Sequence, residues 1–85
     1  MGSYKVRIKR SAERELRDIP KKDLKRIATK IGDLSSNPRP PGCEKLSGQE
    51  RYRIRQGNYR VVYSVDDDTR TVMVFKIGHR REVYR

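Results

Sequence analysis

The chain predicts an α+β fold: a strand, two helices, then three antiparallel strands, with the helix pair packed on one face of a small, mainly antiparallel sheet. Three observations carry that expectation. Apolar residues alternate at the start, recur at helical spacing over residues 12–34, and alternate again after a proline-rich connector.

Tyr4, Val6 and Ile8 alternate with Lys5, Arg7 and Lys9, the period of a strand with one buried face. Ser11 can cap a short helix whose apolar positions are Ala12, Leu16 and Ile19, with Glu13 and Glu15 near its positive end. Pro20 closes it. Over residues 21–36 a second helix is expected, because Leu24, Ile27, Ala28, Ile31 and Leu34 form a stripe. The cations Lys21, Lys22, Lys25, Arg26 and Lys30 surround that stripe as a solvated face. Asn37-Pro38-Arg39-Pro40-Pro41-Gly42 cannot continue a helix, since proline removes backbone donors and pushes its predecessor to extended angles.

Alternation resumes with Tyr52 and Ile54 on one face and Arg51, Arg53 and Arg55 on the other. Gly57-Asn58 reads as a two-residue hairpin turn, followed by Tyr59, Val61, Tyr63 and Val65 in alternation. That turn fixes a register in which Ile54 faces Val61, Tyr52 faces Tyr63 and Arg55 faces Arg60. Asp66-Asp67-Asp68 is a solvated turn, because consecutive carboxylates at a hairpin tip point apart and do not converge on a metal. Residues 71–77 are apolar on both faces, as a central strand requires. One domain over residues 1–85 accommodates all of this.

Composition narrows the partners. The 85 residues carry 22 Lys plus Arg against 11 Asp plus Glu, a formal charge of +11, so a polyanion is the expected ligand. No apolar run is long enough to cross a bilayer and the start lacks a hydrophobic signal region, which gives a cytoplasmic expectation and no membrane partner. Cys43 is the single cysteine, so neither an internal disulfide nor a structural zinc site is available, and no cofactor or metal is called for.

Chemistry concentrates in arginines. Opposed like charges such as Arg55 and Arg60 weaken a sheet by about 0.2–1 kcal/mol, a cost that an anion held between them would offset. Arg53 shares their face, and Arg80 and Arg81 follow the last strand closely enough to join it. Arginine grips phosphate bidentately and stabilises the charge of a phosphoryl transition state, but it accepts no proton at neutral pH. Two titratable side chains stand in the closing segment: the phenol of Tyr84 and the imidazole of His79, the sole histidine. There is no Ser-His-Asp set, no phosphate-binding glycine loop and no paired carboxylates.

The segments Leu46-Ser47-Gly48, Tyr52-Arg53-Ile54-Arg55, Gly57-Asn58-Tyr59-Arg60-Val61-Val62-Tyr63 and Gly78-His79-Arg80-Arg81-Glu82-Val83-Tyr84 resemble the RelE/ParE superfamily of type II toxin–antitoxin toxins. Within it the likeness is to the RelE branch, whose fold is similar to that of small microbial ribonucleases. The resemblance implies a ribosome-dependent endoribonuclease that cuts messenger RNA in the ribosomal A site by attack of the RNA's own 2′-hydroxyl. It also implies two kinds of partner: a RelB-like acidic antitoxin, and a 70S-type ribosome with its messenger and ribosomal RNA.

Carried over by position, the family's basic pair before the glycine turn falls on Arg53 and Arg55, and the arginine after the turn on Arg60. The closing arginine falls on Arg80 and the near-terminal tyrosine on Tyr84. Some relatives have lysine where this chain has Arg53 and Arg55, which removes a possible base from the site. The resulting expectation is that Arg53, Arg55 and Arg60 hold and polarise the phosphate while Arg80 stabilises or protonates the leaving oxygen, the electrostatic role being favoured because arginine is a poor acid. Tyr84 takes the 2′-hydroxyl proton or stacks on a base, and His79 is the second candidate acid. Arg51, Arg81 and Lys45 add phosphate contacts. Two rival readings use the same scaffold: a ParE-like inhibitor of gyrase, and a basic RNA-binding module without catalysis.

Overall fold

The structure, a computed structural model, describes residues 3–46 and 50–79. Its elements in chain order are β1 (Lys5–Ile8), α1 (Arg10–Arg17), α2 (Lys21–Asp33), β2 (Glu44–Lys45), β3 (Arg51–Gln56), β4 (Tyr59–Asp66) and β5 (Thr71–His79). They form two layers. The strands make one sheet in the order β1-β5-β4-β3-β2, in which β1 runs parallel to β5 and every other pairing is antiparallel. The expected α+β architecture is thus present, with one strand more than the sequence reading contained. That strand is β2, two polar residues with no periodicity of their own.

The helices cover one face of the sheet because their apolar stripes have no other place to go. Ala12, Ile19, Ile27, Ile31 and Leu34 pack with Ile54, Val61, Tyr63, Val72, Val74 and Ile77 into one core. α1 lies against β5 and α2 against β3. No described helix is long and apolar enough to cross a membrane.

Local details of the helices depart from the sequence reading. α1 starts two residues earlier than a Ser11 cap requires, with Lys9 at its N-cap and no side-chain capping bond. Pro20 is the N-cap of α2 as well as the end of α1's neighbourhood; its carbonyl accepts the N–H of Leu24 at 2.8 Å. α2 ends at Asp33, where the chain tightens into bonds from the N–H groups of Leu34 to Ser36 back to residues 31–33. Ala28 lies on the outer face of α2, exposed, so the stripe is narrower than expected.

The hairpin register is the predicted one: Ile54 faces Val61, Tyr52 faces Tyr63, and Arg55 faces Arg60. Gly57 supplies the positive φ of 59° that the tight turn needs. Between β4 and β5 the ladder is interrupted. Val62 pairs with Lys76 but Tyr63 with Val74, leaving Phe75 as one surplus residue, a β-bulge. Strict alternation after Val72 and Val74 would have sent Lys76 into the core; the bulge sends Ile77 there instead, 1% exposed, and keeps Lys76 outside.

The proline-rich connector is sewn to the sheet. Pro38 is buried and its carbonyl accepts the Tyr63 hydroxyl at 2.7 Å, while Tyr52 and Tyr63 stack with centroids 5.8 Å apart. Arg39 reaches across to Asp67 with two guanidinium bonds of 3.2 and 2.9 Å and to the Tyr52 hydroxyl at 3.0 Å. Asp67 also accepts from the Tyr4 hydroxyl at 2.7 Å. The acidic triplet therefore divides its labour: Asp66 caps its own turn through the N–H groups of Asp68 and Thr69, and Asp67 is a latch rather than a purely solvated turn residue.

Candidate nucleic-acid interface

The face of the sheet turned away from the helices carries the cationic site. Alternation puts Arg51, Arg53 and Arg55 of β3 there, beside Arg60, Val62 and Ser64 of β4 and Met73 and Phe75 of β5. Lys5 and Arg7 of β1 extend it, lining a groove with Ser64, Asp66, Thr69, Thr71, Met73 and Phe75. This is an open, basic, partly apolar floor.

Arg60 sits deepest, only 2% exposed, with Arg55 opposite it on one side and Gly78 on the other. Gly78 places no side chain beside it. A guanidinium at that depth is held in a fixed position by the side chains packed around it. Arg53 is next, its side chain 14% exposed, and its guanidinium forms an ion pair with the Glu44 carboxylate at 3.1 Å. Arg55 is outermost, 62% exposed, 4.0 Å from the other oxygen of the same carboxylate. Glu44 reaches them because β2 pairs with β3 in a register that sets Glu44 directly opposite Arg53. Arg51 lies over the Phe75 ring, its guanidinium carbon 4.1 Å from the centroid, and Lys9 approaches the same ring at 5.5 Å.

The structure brings Arg51, Arg53, Arg55 and Arg60 together and separates two other candidates from them. His79 pairs with Tyr59, and that pair faces the helices; the two rings meet edge to face at 5.7 Å beside Glu15, Asp18 and Ile19. The imidazole is therefore on the opposite side of the sheet from the arginines. Lys45 pairs with Tyr52, also on the helix side, and its ammonium lies 3.8 Å from Glu50. Strand alternation is the cause in both cases: an odd step from an arginine position lands on the other face. Arg80, Arg81 and Tyr84 lie outside the described residues. A separate basic groove runs along the outer side of α2, lined by Lys22, Lys25, Arg26, Thr29, Lys30 and Gln56.

Sequence reasoning missed Glu44 and Phe75 as members of this face. Glu44 gives no signal without β2, and Phe75 stands in a run that is apolar on both faces, where period counting does not say which face is the outer one. Chemically, the described cluster can bind a phosphodiester through fork-like guanidinium contacts and favour the added negative charge of its transition state.

Comparison with known proteins gives a consistent picture. The family profile for the ParE toxin of the type II toxin–antitoxin system parDE matches residues 6–84. Toxin RelG of Mycobacterium tuberculosis is 34% identical, with 96% of this chain and 97% of RelG covered. Among solved structures, the toxin of the archaeal RelE–RelB complex from Pyrococcus horikoshii superposes with a TM-score of 0.83 at 30% identity, covering 92% of this chain and 96% of that one. The isolated RelE toxin of E. coli gives 0.81 at 29% identity, covering 96% and 92%.

Proposed function

For this chain, which belongs to the ParE toxin family of type II toxin–antitoxin systems and is RelE-like within it, we propose ribosome-dependent cleavage of messenger RNA in the cytoplasm. The observation that carries this reading is the register of the hairpin, which gathers Arg53, Arg55 and Arg60 on one open face of the sheet. The relatives named RelG and RelE support it over the gyrase reading that the family's ParE name suggests.

The mechanism follows from what guanidiniums do. Arg60, fixed by burial, and Arg53 and Arg55 beside it hold the scissile phosphate and stabilise the charge that develops when the neighbouring 2′-hydroxyl attacks phosphorus. The P–O5′ bond breaks, giving a 2′,3′-cyclic phosphate and a 5′-hydroxyl. Arg80 from the closing segment stabilises the leaving oxygen, which takes its proton from water. Tyr84 accepts the 2′-hydroxyl proton or stacks on the adjoining base. His79, directed to the helix side, takes no part in this scheme. A site of this composition has little means of aligning a flexible RNA for in-line attack, and a ribosome-held codon supplies that alignment.

The partner follows from the excess charge and from the solved relatives. Those from P. horikoshii and M. tuberculosis are toxins in complex with RelB antitoxins, which supports an acidic antitoxin folding over this basic surface.

The decisive experiment adds the purified protein to translating ribosomes and maps new messenger RNA ends. Ends clustered within A-site codons support the proposal. Intact messages together with trapped gyrase–DNA complexes sink it in favour of the ParE reading, and binding without either outcome leaves a non-catalytic RNA module. In the same assay Tyr84→Phe separates the two roles of the phenol: loss of single-turnover cleavage assigns it proton transfer, and full cleavage assigns it stacking.

A further inference from the structure

Glu44 lies against the arginine pair of β3. Its two carboxylate oxygens are divided between two guanidiniums, one 3.1 Å from Arg53 and the other 4.0 Å from Arg55. The two non-bridging oxygens of a phosphodiester would adopt the same division. The carboxylate is 49% exposed and Arg55 62%, so water and ions screen the contact and its displacement costs little. Arg60 stands directly opposite Arg55 on the same face. A carboxylate beside these guanidiniums relieves their mutual repulsion.

We propose that Glu44 is a built-in occupant of the arginine pair, exchanged for an RNA phosphate on binding, and that it sets the threshold an RNA must exceed to take the face. The inference rests on the phosphate-binding reading of Arg53 and Arg55. An incoming phosphate on a loosely held RNA gains the guanidinium contacts only by giving up those of Glu44, so its net gain is small. A phosphate presented in a fixed geometry exchanges with less loss of freedom. The carboxylate thereby disfavours free RNA more than ribosome-held RNA.

The test uses a short fluorescent 2′-deoxyoligonucleotide, which lacks the nucleophile and cannot be cut, so binding is read apart from cleavage. Four forms of the full chain are compared: the unaltered protein, Glu44→Gln, Glu44→Asp and Glu13→Gln. Glu13 is exposed on α1, and its substitution adds the same unit of charge away from the sheet face. Glu44→Gln is expected to bind about three- to tenfold tighter than Glu13→Gln, the order expected when one partly screened charge is removed beside a bound phosphate. Glu44→Asp, which keeps the charge, stays near the unaltered protein. The advantage of Glu44→Gln disappears when Arg53 and Arg55 are both alanine.

Equal affinities for Glu44→Gln and Glu13→Gln overturn the proposal. So does a Glu44→Gln protein that binds no tighter but loses cleavage on ribosomes, which would make the carboxylate a proton acceptor instead. If Arg53→Ala/Arg55→Ala binds the oligonucleotide as well as the unaltered protein does, the phosphate-binding reading of the face fails along with it.

Discussion

Two arginine–carboxylate arrangements on this small molecule look alike on a contact map and differ in kind. At one edge, Arg39 meets Asp67 through two guanidinium bonds, and the remaining polar atoms are taken up by the hydroxyls of Tyr4 and Tyr52. One cation faces one carboxylate and the geometry is closed. On the open face, Glu44 is divided between Arg53 and Arg55 with one contact at 3.1 Å and the other at 4.0 Å, and Arg60 adds a further cation. The lesson is that the closure of the contact, more than the presence of arginine, separates a guanidinium locked to its carboxylate from one whose carboxylate is shared and loosely held.

The largest expected break in this comparison is Arg60→Ala. Removing the buried cation should lower single-turnover cleavage on programmed ribosomes by about 100- to 1,000-fold, the usual effect of deleting a donor aimed at developing charge. Retention of full cleavage with an intact fold would take Arg60 out of the site. Next comes Arg55→Ala, whose exposed guanidinium contributes one charge-assisted contact; cleavage should fall roughly ten- to hundredfold with little change in melting temperature.

Arg39→Ala should show the opposite pattern, because it sits at the closed edge. Cleavage stays within about twofold, while loss of the latch lowers Tm by roughly a few degrees, a small shift because the pair is exposed to solvent. A cleavage defect without a shift in Tm would reverse the assignment of the two edges.

The smallest effect is read in the acid limb of stability. Arg39 first, and the Tyr4 hydroxyl second, hold the Asp67 carboxyl below the ordinary aspartate range. A carboxyl whose pKa is lower folded than unfolded contributes stability above its unfolded value and loses it as pH falls through the folded one. Melting temperature followed from about pH 6 to about pH 2 should therefore fall less steeply for Asp67→Asn than for the unaltered protein. Parallel curves would show that the latch has no part in acid sensitivity.

What could be read from the sequence, and what could not, divides along the same line. Gly57-Asn58 fixes a turn, the turn fixes a register, and the register places Arg53, Arg55 and Arg60 together, because side-chain direction in a strand depends only on counting. The same counting puts His79 and Lys45 on the helix side once their strand partners are known, but neither partner is visible in a single sequence. β2 has two residues and no apolar alternation, so Glu44 could not be placed. Arg39 and Asp67 are 28 positions apart in two polar loops, where no periodicity operates. Local rules reach as far as neighbouring strands joined by a tight turn and stop there.

The bulge at Phe75 has a corollary for how such a chain can vary. Excising that one residue would leave Val62 against Lys76, Val61 against Ile77 and Arg60 against Gly78, since the surplus position belongs to no rung of the ladder. What would vanish is the aromatic plate beneath Arg51 and Lys9. The strand thus carries an ornament that can be added or dropped without disturbing its frame, so the outer floor can be retuned while the interior stays the same.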